Sequence, residues 1–426
     1  MILLYLAVGL LVFTIIGMPL GYSIGLSSMF SLLIENPMFL NMFPQRVWAG
    51  AYGYTMICLP LFMLMGELAN KSGFTDNMTN ILLYMVKPIR GGIAEVNVLQ
   101  SMFFGGISGS SVADVVATGG LLMPAMKKQG YSEEFSAGLT VASSTMGIII
   151  PPSGPMIMYS MITGASVSAL FMGGIIPGIL VALTQLIAVY ILSKIHGYKA
   201  QPIPFEWGHF KMTLAKGLPT LVMPLLLLGS IAFGVATASE AAALAVFYVL
   251  LLDRLIYHKL TWKDIKTALR NTFLATSGIV VIIGFSMIFS WIMTMQQVPQ
   301  TVAAFIVSMN LSRELLIAAL IVLILIMGCF LDVSPAILMM TPILLPIAQA
   351  AGIGDVQFGI IFTSGLAIGL ATPPVGMCLN ACARINGMSV LKIARGALPF
   401  IVCNVIVLFL ISYIPALTMW IPSITG

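Results

Sequence analysis

Two short stretches carry residue types that could hold a solute inside a membrane. The run from Thr145 to Gly154 contains Gly147, Ile148, Pro151, Pro152 and Ser153, and the run from Gly369 to Gly376 contains Leu370, Thr372, Pro373 and Pro374. Each places a double proline in the middle of an apolar segment. Proline has no amide proton, so each pair removes two donors and frees carbonyls about one turn earlier, near Gly147 and Ile148 in the first copy and Gly369 and Leu370 in the second. Unpaired carbonyls are costly in hydrocarbon and survive only where they line protein or a water-filled cavity. A sodium ion, which takes oxygen ligands, is a natural partner. A plain proline kink explains either motif alone; two copies favour an ion or substrate site.

Polar residues in two further apolar stretches supply the other half of each candidate site. The first has Ser108, Ser110, Ser111 and Asp114 after Gly105-Gly106; the second has Gly328, Asp332 and Ser334. An ionisable residue inside a membrane is expensive and usually marks a pathway, so Asp114 and Asp332 are functional candidates. Either could instead cap the start of a half-helix. Other polar residues read as structural. Thr237 to Glu240 matches a capping box, and Glu67 and Asp253 fall near helix ends where carboxylates reach water. Asn380 and Arg384 lie about two and three turns beyond Pro373 on the second broken helix. Arg384 could attract an anion, but an ordinary inside-loop charge is the preferred reading. The five cysteines, Cys58, Cys329, Cys378, Cys382 and Cys403, lack zinc or redox spacing and read as buried small hydrophobes.

The elements that position these residues must cross a bilayer. Charged residues make up 8% of the 426 positions, against about 25% in a soluble domain, and the mean hydropathy is +1.07. The net charge of +5 does not point to nucleic acid, because the basic residues sit in short loops between apolar runs, where they report orientation. The pattern predicts ten crossing helices: 2–17, 21–34, 48–69, 134–165, 168–193, 217–235, 239–257, 272–296, 355–385 and 397–421. Two further stretches, 93–126 and 314–349, are split near the middle and read as helical hairpins. Segment 74–86, within an arm at 72–90, mixes Asp76 and Asn77 with apolar residues and reads as interfacial. The apolar start, 1–18, lacks a positive leader region and reads as a retained helix.

Placing the loop from Lys194 to Lys216 in the cytoplasm puts 17 of the 19 Lys and Arg inside, among them Lys71, Lys87, Arg90, Lys127, Lys128, Lys263, Arg270, Arg384 and Arg395. Arg46 and Arg313 are the exceptions, and both termini then face outward. Sliding the chain on itself by 222 positions aligns nine Gly or Pro identities, including Gly106 with Gly328, Gly147 with Gly369, Pro151 with Pro373 and Pro152 with Pro374; chance gives about one. Five crossings separate the two hairpins, so the second unit is expected to be inverted relative to the first, a transporter architecture that supports alternating access. The expected units are 1–47, a peripheral helix pair; 48–195, the first repeat; 196–271, a cytoplasmic loop with connecting helices and arm; and 272–421, the second repeat.

Together, the residues at 105–114, the Pro-Pro breaks at 151 and 373, and Thr237 to Glu240 resemble the large membrane (M) subunit of tripartite ATP-independent periplasmic (TRAP) transporters over nearly the whole chain, most like the sialic-acid members. The resemblance implies an all-α polytopic membrane protein of the ion-transporter superfamily, with inverted repeats and an elevator mechanism. It also implies a sodium-driven symporter for a small organic anion such as sialic acid or another carboxylate. Its partners would be a periplasmic substrate-binding protein and a separate small four-helix membrane subunit in the bacterial inner membrane. By motif, Ser108, Ser110, Ser111 and Asp114 with Gly147 to Pro152 would form one sodium region; Asp332 and Ser334 with Gly369 to Pro374 would form the other. Helices 48–69, 217–257 and 272–296 would build the static scaffold. The expected protein is no enzyme and has no cofactor beyond sodium and no transition metal. The rival expectation is a self-sufficient sodium–carboxylate symporter of the divalent-anion family.

Overall fold

The computed structural model describes residues 1–86, 91–198, 207–309 and 311–425, without the side chains of Tyr54, His209, Ala303 and Val307. Lys87 and Arg90 at the end of the expected arm, Lys199 and the middle of the 194–216 loop lie outside the described residues. Among those described, all regular structure is helical.

After the pair Ile2–Ile15 and Leu20–Glu35, the chain runs through Met42–Ala51 and Cys58–Lys71 to a short helix, Phe74–Val86. A hairpin follows (Gly92–Ser108 and Ser111–Lys128), then a helix in three pieces (Glu133–Ser143, Met146–Ile149 and Gly154–Thr163) and a long helix, Val167–Ile195. Two connecting helices, Trp207–Ala232 and Ala238–Leu252, lead to the same order again: Trp262–Met295, short Val298–Ser308, hairpin Arg313–Phe330 and Val333–Ala350, broken helix Asp355–Leu370 and Met377–Asn386, long Val390–Tyr413, then Ala416–Thr425. The side-chain hydroxyl of Thr237 caps Ala238–Leu252, and the Thr237 amide and hydroxyl both donate to Glu240 Oε2 at 2.8 Å.

Several helix limits differ from the apolar runs, for physical reasons. The stretch 48–69 is two helices, because Tyr52 leaves helical geometry and Gly53 is extended. Trp262–Met295 begins ten residues before the expected 272; Thr261 and Asp264 form a capping box there, and the polar first turns hide the start from a hydropathy reading. The segment 217–235 likewise starts earlier, at Trp207. The helix expected to reach 257 ends at Leu252 and closes with a π turn, Asp253–Tyr257. The last run, 397–421, is Val390–Tyr413 and Ala416–Thr425, divided before Pro415, whose ring disfavours helix at the preceding residue. The short helix Val298–Ser308 was not anticipated; it sits 222 residues after all but the first two residues of Phe74–Val86.

Ten crossings were expected. Among the described residues, seven helices are long and apolar enough to span, or eight if the bent pair around Tyr52 is one span. Ile2–Ile15, Leu20–Glu35 and Asp355–Leu370 are apolar but shorter, and the arms of the second hairpin qualify by length. The broken helix is distinct from its neighbours: 94% of the apolar window in Glu133–Thr163 lies inside the protein, against 33% for Val167–Ile195. Irregular backbone at membrane depth is tolerable only when enclosed in this way.

Small residues let the helices close around it. A Cβ built on Gly138 would strike the Gly396 backbone, and one on Gly396 would strike the Glu134 carbonyl, so Glu133–Ser143 and Val390–Tyr413 cross in backbone contact. An ion pair from Lys71 to Asp264 (3.6 Å) and another from Lys259 to Asp76 (3.2 Å) tie the short helix Phe74–Val86 and its neighbour to the start of Trp262–Met295. We expect Gly396→Ala to cost about 1–3 kcal/mol by overpacking, read as a lower melting temperature of the purified protein in detergent. An unchanged melting temperature would mean the two helices can separate freely.

Candidate functional site

In the first half, the hairpin turns at Ser108-Gly109-Ser110. Gly109 ends Gly92–Ser108 in the left-handed region (φ 59°), which favours glycine, and its amide bonds the Gly105 carbonyl at 3.0 Å. Ser110 then caps Ser111–Lys128 by accepting from the Ala113 amide (3.4 Å). This tip sits directly on the broken helix: a Cβ on Gly105 would lie 2.8 Å from the Gly147 Cα, one on Gly106 3.1 Å from the Pro151 oxygen, and one on Gly109 3.0 Å from the Pro152 oxygen. The Pro151-Pro152 bond is cis. Gly147 and Ile148 would take helical bonds from Pro151 and Pro152, which have no proton; their carbonyls accept no other hydrogen bond among the described residues.

The side chains around this break divide into free and engaged oxygens. Asp114 is fully buried; one oxygen accepts from Thr118 Oγ1 at 2.7 Å, and Oδ2 has no partner. Ser111 Oγ, one turn earlier on the same helix, is also buried and unpartnered. Ser108 bonds only within the tip, at 3.4 Å. Thr145, expected among the binding residues, has a hydroxyl that donates to the Ala142 carbonyl (2.7 Å) and accepts from Asn404 Nδ2 (3.0 Å), which makes it a positioning group. Ser153 is buried and caps Gly154–Thr163.

The second half repeats the arrangement with different chemistry. Gly328 and Gly369 meet backbone to backbone, the Val375 amide bonds the Cys329 carbonyl at 3.2 Å, and Pro373-Pro374 is again cis. Asp332, not Ser110's hydroxyl type, is the cap here: Oδ1 accepts from the Val333 amide at 2.8 Å while the residue stays exposed. By number Asp332 corresponds to Ser110, and Asp114 to Ala336, so the two carboxylates are not equivalent. The freed carbonyls also differ from expectation. Gly369 O accepts from the Thr372 amide at 3.0 Å, because the helix tightens before the prolines; Leu370 O is left without a partner among the described residues. Thr372 Oγ1 donates to Ile368 O (2.8 Å), and Asn380 Nδ2 donates to Val375 O (2.5 Å), holding the loop. Ser334 is half-buried at the start of Val333–Ala350. Arg384 is exposed in the last turn of Met377–Asn386.

The two halves adjoin at Cys378. This fully buried residue, in the first turn of Met377–Asn386, lies beside Ser144 and within electrostatic range of both Asp114 and Asp332. Sequence reasoning had set it aside as a packing residue. It had also passed over Gln185 and Asn404, each the one amide side chain in its long apolar helix. Gln185 Nε2 bonds Ala142 O (3.1 Å) and Asn404 Oδ1 (2.7 Å), and Asn404 Nδ2 bonds Ala142 O (3.2 Å). Two neighbouring helices thereby clamp the carbonyl end of Glu133–Ser143 just before the break. An amide buried in mid-span was the available signal. Among the described residues no group of three His, Cys, Asp or Glu is placed to hold a metal ion; the oxygens around the breaks are hydroxyls, single carboxylates and carbonyls.

This architecture has known relatives. Residues 7–417 match the family described as tripartite ATP-independent periplasmic transporter, DctM component. The sialic acid TRAP transporter large permease protein SiaM of Vibrio cholerae is 32% identical over 96% of this chain and 95% of its own length. The C4-dicarboxylate TRAP transporter large permease protein DctM of Pseudomonas aeruginosa is 32% identical over 95% of this chain and 94% of its own. Among solved structures, the Alcanivorax borkumensis YdaH transporter shares the fold, with a TM-score of 0.62 at 15% identity over 94% of this chain and 89% of that one. With its whole helical body matched and relatives above 30% identity, the chain belongs to the TRAP transporter family as a large membrane permease component.

Proposed function

We propose that this permease takes up a small organic anion, sialic acid or another carboxylate, across the bacterial inner membrane by coupling it to sodium, with both termini on the periplasmic side. The relatives matched above are named for sialic acid and C4-dicarboxylates, which are carboxylates of different size. The observation that carries sodium coupling is the duplicated break: each half seats a hairpin tip on a cis Pro-Pro interruption that leaves a carbonyl without its helical donor. Ser108, Ser110, Ser111 and Asp114 with the Gly147 and Ile148 carbonyls serve one cation. Asp332 and Ser334 with the Leu370 carbonyl serve the other, and Thr372 and Asn380 hold that loop. Discontinuous helices supply such carbonyls in sodium-coupled transporters.

Hairpins and broken helices move together as an elevator against a scaffold built from Cys58–Lys71, Trp207–Ala232, Ala238–Leu252 and Trp262–Met295. Backbone contact between each tip and its own break supports a body that moves as one piece. A periplasmic binding protein delivers the anion, and a small four-helix membrane subunit completes the complex, in keeping with a tripartite family.

Proteoliposomes holding both membrane subunits, with binding protein added outside, are expected to accumulate the anion only under an inward sodium gradient. Accumulation by this chain alone, unaltered by the other two components, would instead support the self-sufficient symporter. In the complete system, Asp332→Asn and Ser110→Ala should each raise the sodium concentration for half-maximal uptake by about tenfold, the effect of losing ~1.4 kcal/mol of cation binding. Unshifted sodium curves in both variants would remove these residues from the cation sites.

A further inference from the structure

The first hairpin meets its broken helix through buried polar side chains; in the second, the polar pair between hairpin and broken helix is Gln349 with Asp355 (2.9 Å), exposed at the helix ends. Asn97 Nδ2 donates to Thr140 Oγ1 (2.8 Å), Ser143 Oγ donates to Asn97 Oδ1 (3.1 Å), and Ser101 shares a hydrogen with Ser143 at 3.0 Å. All four are fully buried. On the hairpin arm, Asn97, Ser101 and Gly105 are spaced by four and share one face; on the broken helix, Thr140, Ser143 and Gly147 follow at spacings of three and four. At its inner end the seam reaches Asp114, which lies next to Ser101 and whose Oδ2 is buried without a partner. At its outer end, Thr140 Oγ1 donates to the Ser136 carbonyl (2.8 Å). Ser136 lines a surface cavity of about 210 Å³ with Met123, Pro124, Lys127 and Glu133.

Helix packing alone does not require this polarity, because the molecule contains its own control. In the second half Gly328 meets Gly369 as Gly105 meets Gly147, so the arm positions matching Asn97 and Ser101 are the buried Leu320 and Ile324, while Thr140, Ser143 and Asp114 correspond by number to Phe362, Gly365 and Ala336. Where Ser101 meets Ser143 in the first half, Ile324 packs against Gly365 in the second. One half thus closes the same helix pair with apolar contacts. Polar side chains do hold membrane helices together, but each such bond is worth only about 0.6 kcal/mol on average. A buried carboxylate oxygen at the end of the seam is left over by that account.

We propose that this seam is the route by which the coupling cation passes between the first break and the cavity at Ser136, with the seam's hydroxyl and amide oxygens replacing its water step by step. The inference rests on the sodium reading of the first break and adds an asymmetry: the first cation exchanges through protein, along a path the second half lacks.

The test uses the complete three-component transporter in proteoliposomes, with radioactive sodium as the probe. Thr140→Val, which keeps the side-chain shape, and Ser101→Ala are each expected to slow sodium entry and anion uptake by about tenfold in maximal rate. The sodium concentration for half-maximal uptake should stay within about twofold. Wild-type rates in both variants would overturn the route. So would a parallel loss of sodium affinity, which would place these hydroxyls in the binding site itself, or rates restored by lowering pH at constant sodium, which would make it a proton path. If Thr140→Val fails to fold, Ser143→Gly installs the residue found at 365 and replaces it in the same assay. Asp114→Asn separates the two levels of inference. Sodium dependence that survives it overturns the cation reading; sodium dependence lost there, with Thr140→Val and Ser101→Ala at full speed, overturns only the route.

Discussion

A peptide carbonyl without a hydrogen bond cannot face lipid, and the rest of this molecule is arranged around that constraint. Each Pro-Pro pair creates such carbonyls in mid-membrane, and each is covered by a hairpin tip whose glycines bring backbone within van der Waals contact of the break. The long helices Val167–Ile195 and Val390–Tyr413 then enclose the first broken helix, with one amide side chain from each clamping the Ala142 carbonyl. Outward, these long helices show apolar side chains such as Ile187, Ile191, Val402 and Ile406 to the bilayer. Exposed hydrocarbon on the outside and enclosed oxygens on the inside are two consequences of one solvent.

The duplicated halves use one backbone solution for unlike environments. Around the first break, Thr145, Ile148 and Ser153 are buried, and so is the Asp114 carboxylate. Around the second, Pro374, Val375, Met377 and Asn380 are exposed, as is Asp332. A buried carboxylate without a full set of donors is a strong attractor for a cation, since removing a charge from water is repaid only by a close opposite charge. An exposed one is already hydrated and gains less. The two breaks therefore differ in access and in electrostatic strength, although each is a Pro-Pro interruption under a hairpin tip.

Much of this was legible in the chain. Double prolines report backbone breaks wherever they occur, because the missing proton and the ring act locally; the hairpins were legible for the same reason, through Gly105-Gly106, Gly109 and Gly328. Charge depletion fixed the solvent, and the offset of 222 fixed the duplication of elements. Helix ends were less legible. Polar first turns such as Trp262 to Arg270 extend a helix beyond its apolar run, and a single residue such as Tyr52 divides one without any strong breaker.

Which oxygens are free is a different kind of fact. Thr145 Oγ1 both donates and accepts, and Gly369 O is taken by a neighbouring amide, whereas Thr372 and Asn380 engage only as donors, through the hydroxyl hydrogen and the amide nitrogen. Asp114 and Asp332 look alike in composition but sit at different registers, one enclosed and one open. Cys378 joins the two regions although nothing in its neighbours along the chain marks it. Sequence by itself determined where the backbone must break and that lipid surrounds it, since both follow from local covalent chemistry and average polarity. Only the tertiary structure decided which donors meet which acceptors, because a hydrogen bond depends on groups brought together from distant helices.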